Sequence, residues 1–297
     1  MIEVRNLSHQ YGDRRVLNNV SFTVEPGKLT GFVGANGAGK TTTMRAMLGL
    51  IDPSAGEVLI NGQPITAADR VGIGYMPEER GLYPKMKVHE QIVYFAQLHG
   101  VDKAVASRRA DELLEKVNLT ERRNEEVEAL SLGNQQRAQI CVALVHEPNI
   151  LVLDEPFSGL DPIAVDTVLE VLRQRAAQGA PVLYSSHQLE VVEKLSDNLV
   201  IISQGEIKAA GPRLQLQEEH SQGLYRIAMD DLAWLEQQPD VRVVGHEGGS
   251  TIVQLEGSPE MAAQRAQQLL RDAVAHGAVT DFGRHLVPLT TIFKEVR

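Results

Sequence analysis

The sequence predicts an α/β core built on a parallel sheet, carrying an antiparallel β subdomain and an inserted helical subdomain, followed by a small α+β domain. Three observations carry this. Short apolar, strand-like runs alternate with segments of helical spacing. The runs at 150–153 and 182–185 are of the kind expected for strands covered on both faces. From about residue 88 to 128 the apolar period changes to that of a helix.

The elements follow in order. Residues 2–7, 20–24, 29–33 and 57–60 carry β-branched and apolar side chains separated by Gly, Asn, Asp and Pro, and read as strands. Residues 41–50 follow the third of these with helical spacing, giving strand, glycine loop, helix. Val88, Ile92, Phe95 and Ala96 form one apolar stripe, and Leu113, Leu114 and Val117 recur among charges, so a helical subdomain is expected at about 84–146. Residues 162–174 read as the crossover helix between the two buried strands. Residues 199–203 and 206–210, joined by Gln204-Gly205, read as a closing hairpin. Gly211-Pro212 and the polar stretch 215–222 mark a boundary, dividing a domain at 1–212 from one at 213–297. Beyond it come a strand at 225–229, a helix at 231–237, strands at 241–244 and 251–255, a helix at 258–275, a strand at 279–282 and a short helix ending near Lys294. Strand-helix-strand-strand-helix-strand is the ferredoxin-like order.

Bulk properties exclude several function classes. A chain of 297 residues with 43% hydrophobic and 23% charged residues has ordinary globular composition. Its net charge of −10 argues against general nucleic-acid or anionic-lipid binding over the whole surface, leaving room for a local basic groove, and 4% aromatics suggest no stacking platform for single strands. A single cysteine, Cys141, excludes an internal disulfide and multi-cysteine zinc patterns; its apolar neighbours make it a packing residue. No apolar run reaches the 18 residues a membrane span needs, and the N-terminal residues lack a secretory h-region, so a cytoplasmic chain is expected.

The strongest chemical signal is Gly34-Ala35-Asn36-Gly37-Ala38-Gly39-Lys40-Thr41, a full match to G-x-x-x-x-G-K-[ST]. With glycine near ~7% of residues, such a match arises by chance in roughly one sequence in a hundred. Here it also sits between an apolar strand and a helix. The glycines let backbone N–H groups turn inward as an anion nest, Lys40 supplies charge to β/γ-phosphates, Thr41 offers its hydroxyl to Mg²⁺, and the helix adds its N-terminal partial charge. The segment resembles the phosphate loop of P-loop NTPases, and a core of that kind is expected. The run at 150–153 ends in Asp154-Glu155, at the sheet edge where ligand crevices of open α/β sheets lie. Asp154 would hold Mg²⁺ and Glu155 would orient or deprotonate an attacking water.

Leu130-Ser131-Leu132-Gly133-Asn134-Gln135-Gln136-Arg137 resembles the signature sequence of ATP-binding-cassette ATPases, in the form L-S-x-G-x-Q-x-R. Physically, Ser131 can cap the helix that follows, making a second anion site with Gly133. Further resemblances fall in order: Tyr11 before Gly12 is similar to the family's adenine-stacking aromatic, Ser158-Gly159-Leu160-Asp161 to the loop that couples two sites, and His187 to the switch histidine. They cover about residues 1–212. The resemblance implies ATP and Mg²⁺ as cofactors, with Lys40, Glu155 and His187 as the catalytic set. It implies nucleotide contacts from Tyr11, Gly34, Asn36, Gly37, Ala38, Gly39, Lys40, Thr41 and Thr42, and from Ser131, Gly133 and Gln135 across a dimer.

Departures from the family pattern are informative. Glu78 stands where the family presents a glutamine to Mg²⁺; it either ligates the metal with Thr41 and Asp154 or pairs with Arg80. Leu132 and Asn134 replace a common Gly and Gln. With the stretch at 78–84 and a tail domain ending in 289–296, these features resemble exporter-type cassettes, including the sodium-efflux and drug-efflux groups. The resemblance therefore implies a peripheral ATPase at the inner face of the cell membrane. Its partners would be a second ATPase subunit, expected to be a second copy, and an integral membrane permease. A soluble cassette acting on ribosomes or nucleic acid is the alternative; it lacks support from a second cassette or a long coiled-coil insertion.

Overall fold

The computed structural model describes residues 1–79, 81–238 and 240–295, and divides into two compact units, Met1–Arg213 and Leu214–Glu295. The first unit begins with two long strands, β1 (Ile2–Tyr11) and β2 (Arg14–Val24), then β3 (Leu29–Val33), α1 (Lys40–Met47), β4 (Ala55–Ile60), β5 (Gln63–Pro64), α2 (Ala67–Val71) and β6 (Ile73–Met76). Helices α3 (Val88–Leu98), α4 (Lys103–Lys116) and α5 (Leu132–Leu144) follow and pack on one another. The chain then runs through β7 (Ile150–Leu153), α6 (Pro162–Ala177), β8 (Val182–Ser186), α7 (Leu189–Leu195), β9 (Asn198–Ser203) and β10 (Glu206–Pro212).

Two sheets organise this unit. An antiparallel sheet has the order β2-β1-β4-β5, and a mixed sheet has the order β10-β9-β3-β8-β7-β6. Strands β9, β3, β8, β7 and β6 are parallel; only β10 runs against its neighbour. β3, β7 and β8 are buried at every position, including the polar Thr30, Ser185 and Ser186. One core joins the sheets, with Phe22 packed on Phe32 at 5.2 Å between ring centroids. Gly74 in β6 has no room for a side chain: a Cβ there would meet the Ala143 carbonyl of α5 at 2.3 Å. Cys141, on the same helix, is fully buried and its thiol is pushed up to about 12, as packing requires.

In the second unit, α8 (Arg213–His220) leads into β11 (Leu224–Met229), a 3₁₀ turn (Ala233–Gln237), β12 (Val241–Glu247), β13 (Ser250–Leu255), α9 (Pro259–His276), β14 (Val279–Arg284) and α10 (Leu289–Glu295). The strands form an antiparallel sheet of order β12-β13-β11-β14. Ala262, Ala266, Leu269 and Ala273 of α9 pack on Tyr225, Ile227, Val253 and Leu255. The polar stretch that marks the boundary is helical through His220, with Leu216 and Gln217 buried. One local expectation is corrected. The segment at 231–237 forms a 3₁₀ turn instead of an α-helix; Asp231 bonds to the Ala233 N–H, closing the chain tightly at its start. Residue 296, in the expected tail segment 289–296, lies outside the described residues. Among the described residues no helix is long and apolar enough to cross a membrane.

Candidate functional site

The glycine loop joins β3 to α1 at the carboxyl edge of the mixed sheet. Gly39 caps α1 with φ 112°, a conformation that side chains rarely adopt, and a Cβ there would meet Leu17 at 2.8 Å. Lys40 is buried; its Nζ donates to the Gly34 carbonyl at 2.7 Å and the Ala35 carbonyl at 3.3 Å. Burial lowers the Lys40 pKa, while Glu155, Asp154 and Glu78 act in the opposite sense. Three carboxylates therefore surround this buried ammonium.

Strand β7 delivers two of them. Asp154 is 1% exposed; its Oδ1 accepts from Ser185 Oγ at 2.5 Å, and its Oδ2 is buried without a hydrogen-bond partner. An orphaned carboxylate oxygen of this kind fits a hard cation or its bound water. Glu155 has φ 52°, a left-handed conformation costing on the order of 1 kcal/mol in a non-glycine residue. Its N–H donates to Ser185 Oγ at 2.8 Å, and its carboxylate lies 2.9 Å from His187 Nδ1.

A cavity of about 480 Å³ gathers most of the expected residues: Tyr11, Asn36, Gly37, Gly39, Lys40, Thr41, Thr42, Glu78, Asp154 and Glu155 line it. Tyr11 is 51% exposed at one end, edge-on to His9. Gly34 and Ala38 are not in the lining: Gly34 gives its carbonyl to Lys40, and Ala38 is buried with its N–H on Ala35. Ser131, Gly133 and Gln135 are also outside it. Ser131 Oγ caps α5 by accepting from the Asn134 N–H at 3.4 Å, and a Cβ on Gly133 would meet the Gly159 carbonyl at 3.1 Å. The Gln135 amide donates to the Val127 and Leu130 carbonyls, bracing the loop before the helix. The pairing of Glu78 with Arg80 concerns a residue outside those described.

Sequence reading missed four residues. Arg14 and Val16 line the cavity; Arg14 is the register partner of Tyr11 across the β1–β2 turn, a relation visible only once the hairpin is paired. Ser185 holds both acids, and Gln136 reaches the Glu155 and Pro156 carbonyls. No local motif announces these last two, because their partners lie on other elements.

Comparison with known proteins agrees with the geometry. The ABC transporter family profile matches residues 17–158. The uncharacterized ABC transporter ATP-binding protein YhaQ of Bacillus subtilis (strain 168) is 39% identical over 231 residues, 78% of each chain. The Nod factor export ATP-binding protein I of Burkholderia lata is 38% identical over 213 residues, 71% of this chain and 70% of that one. A solved ATP-binding subunit of an ABC transporter, 34% identical, superposes with a TM-score of 0.68 over 74% of this chain and 93% of its own. The chain belongs to the ABC transporter family, as an ATP-binding subunit that hydrolyses ATP.

Proposed function

We propose that two copies of this chain close around MgATP to power export through a separate membrane subunit, with each nucleotide held between them. The observation that carries this reading is that the cavity is half a site. The glycine loop, Lys40, Asp154 and Glu155 converge in it, while the capped end of α5, with Ser131 and Gly133, lies outside its lining. A helix N-terminus with a serine cap and a bare glycine suits a phosphate, so a neighbouring subunit's γ-phosphate is its fitting ligand. In this reading Tyr11 stacks on adenine, the amides of 34–39 and Thr42 hold the phosphates, and Arg14 adds a second cation beside Tyr11.

Mg²⁺ would be held by Thr41 and Asp154, with Glu78 as the third oxygen donor; bound there, it would neutralise charge on the β/γ-phosphate oxygens. Glu155 orients the attacking water and takes up its proton, and His187, already 2.9 Å from that carboxylate, fixes it toward the γ-phosphate. The membrane partner docks on the groove of about 370 Å³ between β6 and the helices, where Leu50, Tyr75, Phe95 and Val142 give it an apolar wall. That placement puts the chain on the cytoplasmic face of the membrane. The export direction follows the Nod factor relative's name. We assign 1–212 to the ATPase domain and 213–297 to an accessory domain of ferredoxin-like topology, supported by the β12-β13-β11-β14 order.

Glu155→Gln tests the split site. The variant is expected to bind ATP, lose turnover by roughly a thousandfold and accumulate as an ATP-dependent dimer in light scattering. A variant that stays monomeric at saturating ATP refutes the arrangement.

A further inference from the structure

We propose that Gln136 is a positioning residue for hydrolysis, holding Glu155 in its working geometry from the body of the signature helix; this rests on the reading of Glu155 as the residue that orients the attacking water. Glu155 sits in the left-handed region at φ 52° and is followed by Pro156, which disfavours helical conformations for the residue before it. Such a conformation persists only where the surrounding structure over-determines it. Here both flanks of the residue are tied. On the amino side, its N–H donates to Ser185 Oγ of β8 at 2.8 Å. On the carboxyl side, Gln136 Nε2 donates to the Glu155 carbonyl at 2.9 Å and to the Pro156 carbonyl at 3.1 Å.

The chemistry selects the residue type. Two adjacent carbonyls need two protons from one direction, and a primary amide nitrogen carries two. Gln136 is 4% exposed, so water cannot replace it. One turn further along α5, buried Gln139 donates to the Pro77 carbonyl at 2.9 Å, immediately before Glu78. The helix that begins at Ser131 therefore grips the main chain beside two of the cavity's carboxylates. Displacement of α5 when its capped end engages phosphate moves Glu155 through Gln136.

The test uses the full chain and steady-state hydrolysis. Gln136→Leu keeps the volume and removes both protons; kcat is expected to fall by roughly ten- to a hundredfold while KM for ATP stays within about threefold. In the Glu155→Gln background the same change is expected to leave the residual rate as it was, because Gln136 acts through the carboxylate already removed. Gln136→Glu preserves shape and regains one donor proton when its carboxyl is protonated, so its rate relative to wild type should rise as pH falls. Wild-type kcat in Gln136→Leu, an equal further loss in the Glu155→Gln background, or a pH-independent ratio for Gln136→Glu overturns the proposal. Wild-type turnover in Glu155→Gln alone would instead overturn the reading of Glu155.

Discussion

Ser185→Ala should destabilise the first unit far more than loss of a single buried hydroxyl suggests. Ser185 Oγ serves two groups at once: it accepts from the Glu155 N–H and donates to Asp154 Oδ1. Asp154 Oδ2 already lacks a partner, so the substitution leaves a buried carboxylate with neither oxygen satisfied and a buried N–H with no acceptor. At about 1–3 kcal/mol for each of the two stranded groups, the cost is about 2–6 kcal/mol. For a unit of this size that lowers the thermal midpoint by about 5–15 °C. Differential scanning calorimetry of the nucleotide-free protein reads it directly. Added Mg²⁺ and nucleotide should recover part of the loss, because a cation on Asp154 replaces the missing donor. A midpoint within about 1 °C of wild type would refute the reasoning, since the two hydrogen bonds would then contribute nothing net.

Two further outcomes follow from charge and burial. Lys40→Met is expected to abolish ATP binding, weakening it by more than roughly a hundredfold in a fluorescence titration; binding within about threefold of wild type would count against the role of Lys40. His146 is stacked on His99 at 3.7 Å and burial lowers its pKa to about 4. With a folded pKa below the ordinary 6.5, its contribution is complete above pH 6.5 and is lost as pH falls toward 4, by about 2 kcal/mol once partial exposure is discounted. His146→Phe should flatten that acid limb in urea titrations at pH 7 and pH 4.5, and an unchanged slope would count against it.

Much of this could be read from the sequence because the informative segments obey local rules. β3 and β7 match their expected ranges end to end, since strands buried on both faces carry few polar positions to blur them; of their residues only Thr30 is polar. The glycine loop and the acid pair are contiguous, so their chemistry is visible without a fold. β6 escaped notice because Gly72 and Gly74 resemble turn punctuation, whereas Gly74 is there to admit α5. α2 and α7 are five and seven residues long, too short to show a period. Ser185 and Gln136 are 30 and 19 residues from Glu155, and nothing but the sheet order and the placement of α5 brings them to it.

The charges of the cavity bear on the proposed closure around nucleotide. Its lining carries two cations, Arg14 and Lys40, against three carboxylates, Glu78, Asp154 and Glu155. A triphosphate adds several more negative charges at a depth where burial already lowers the Lys40 pKa. Inward-facing amides and the α1 N-terminus offset only part of this, since a helix end supplies about half a charge. A divalent cation on Asp154 reduces the deficit without removing it. In the proposed arrangement the remaining positive field comes from a surface that arrives with or after the nucleotide, and a serine-capped helix N-terminus is a source that brings no new carboxylate with it. Nucleotide and neighbour would then bind cooperatively, each reducing the electrostatic cost of the other.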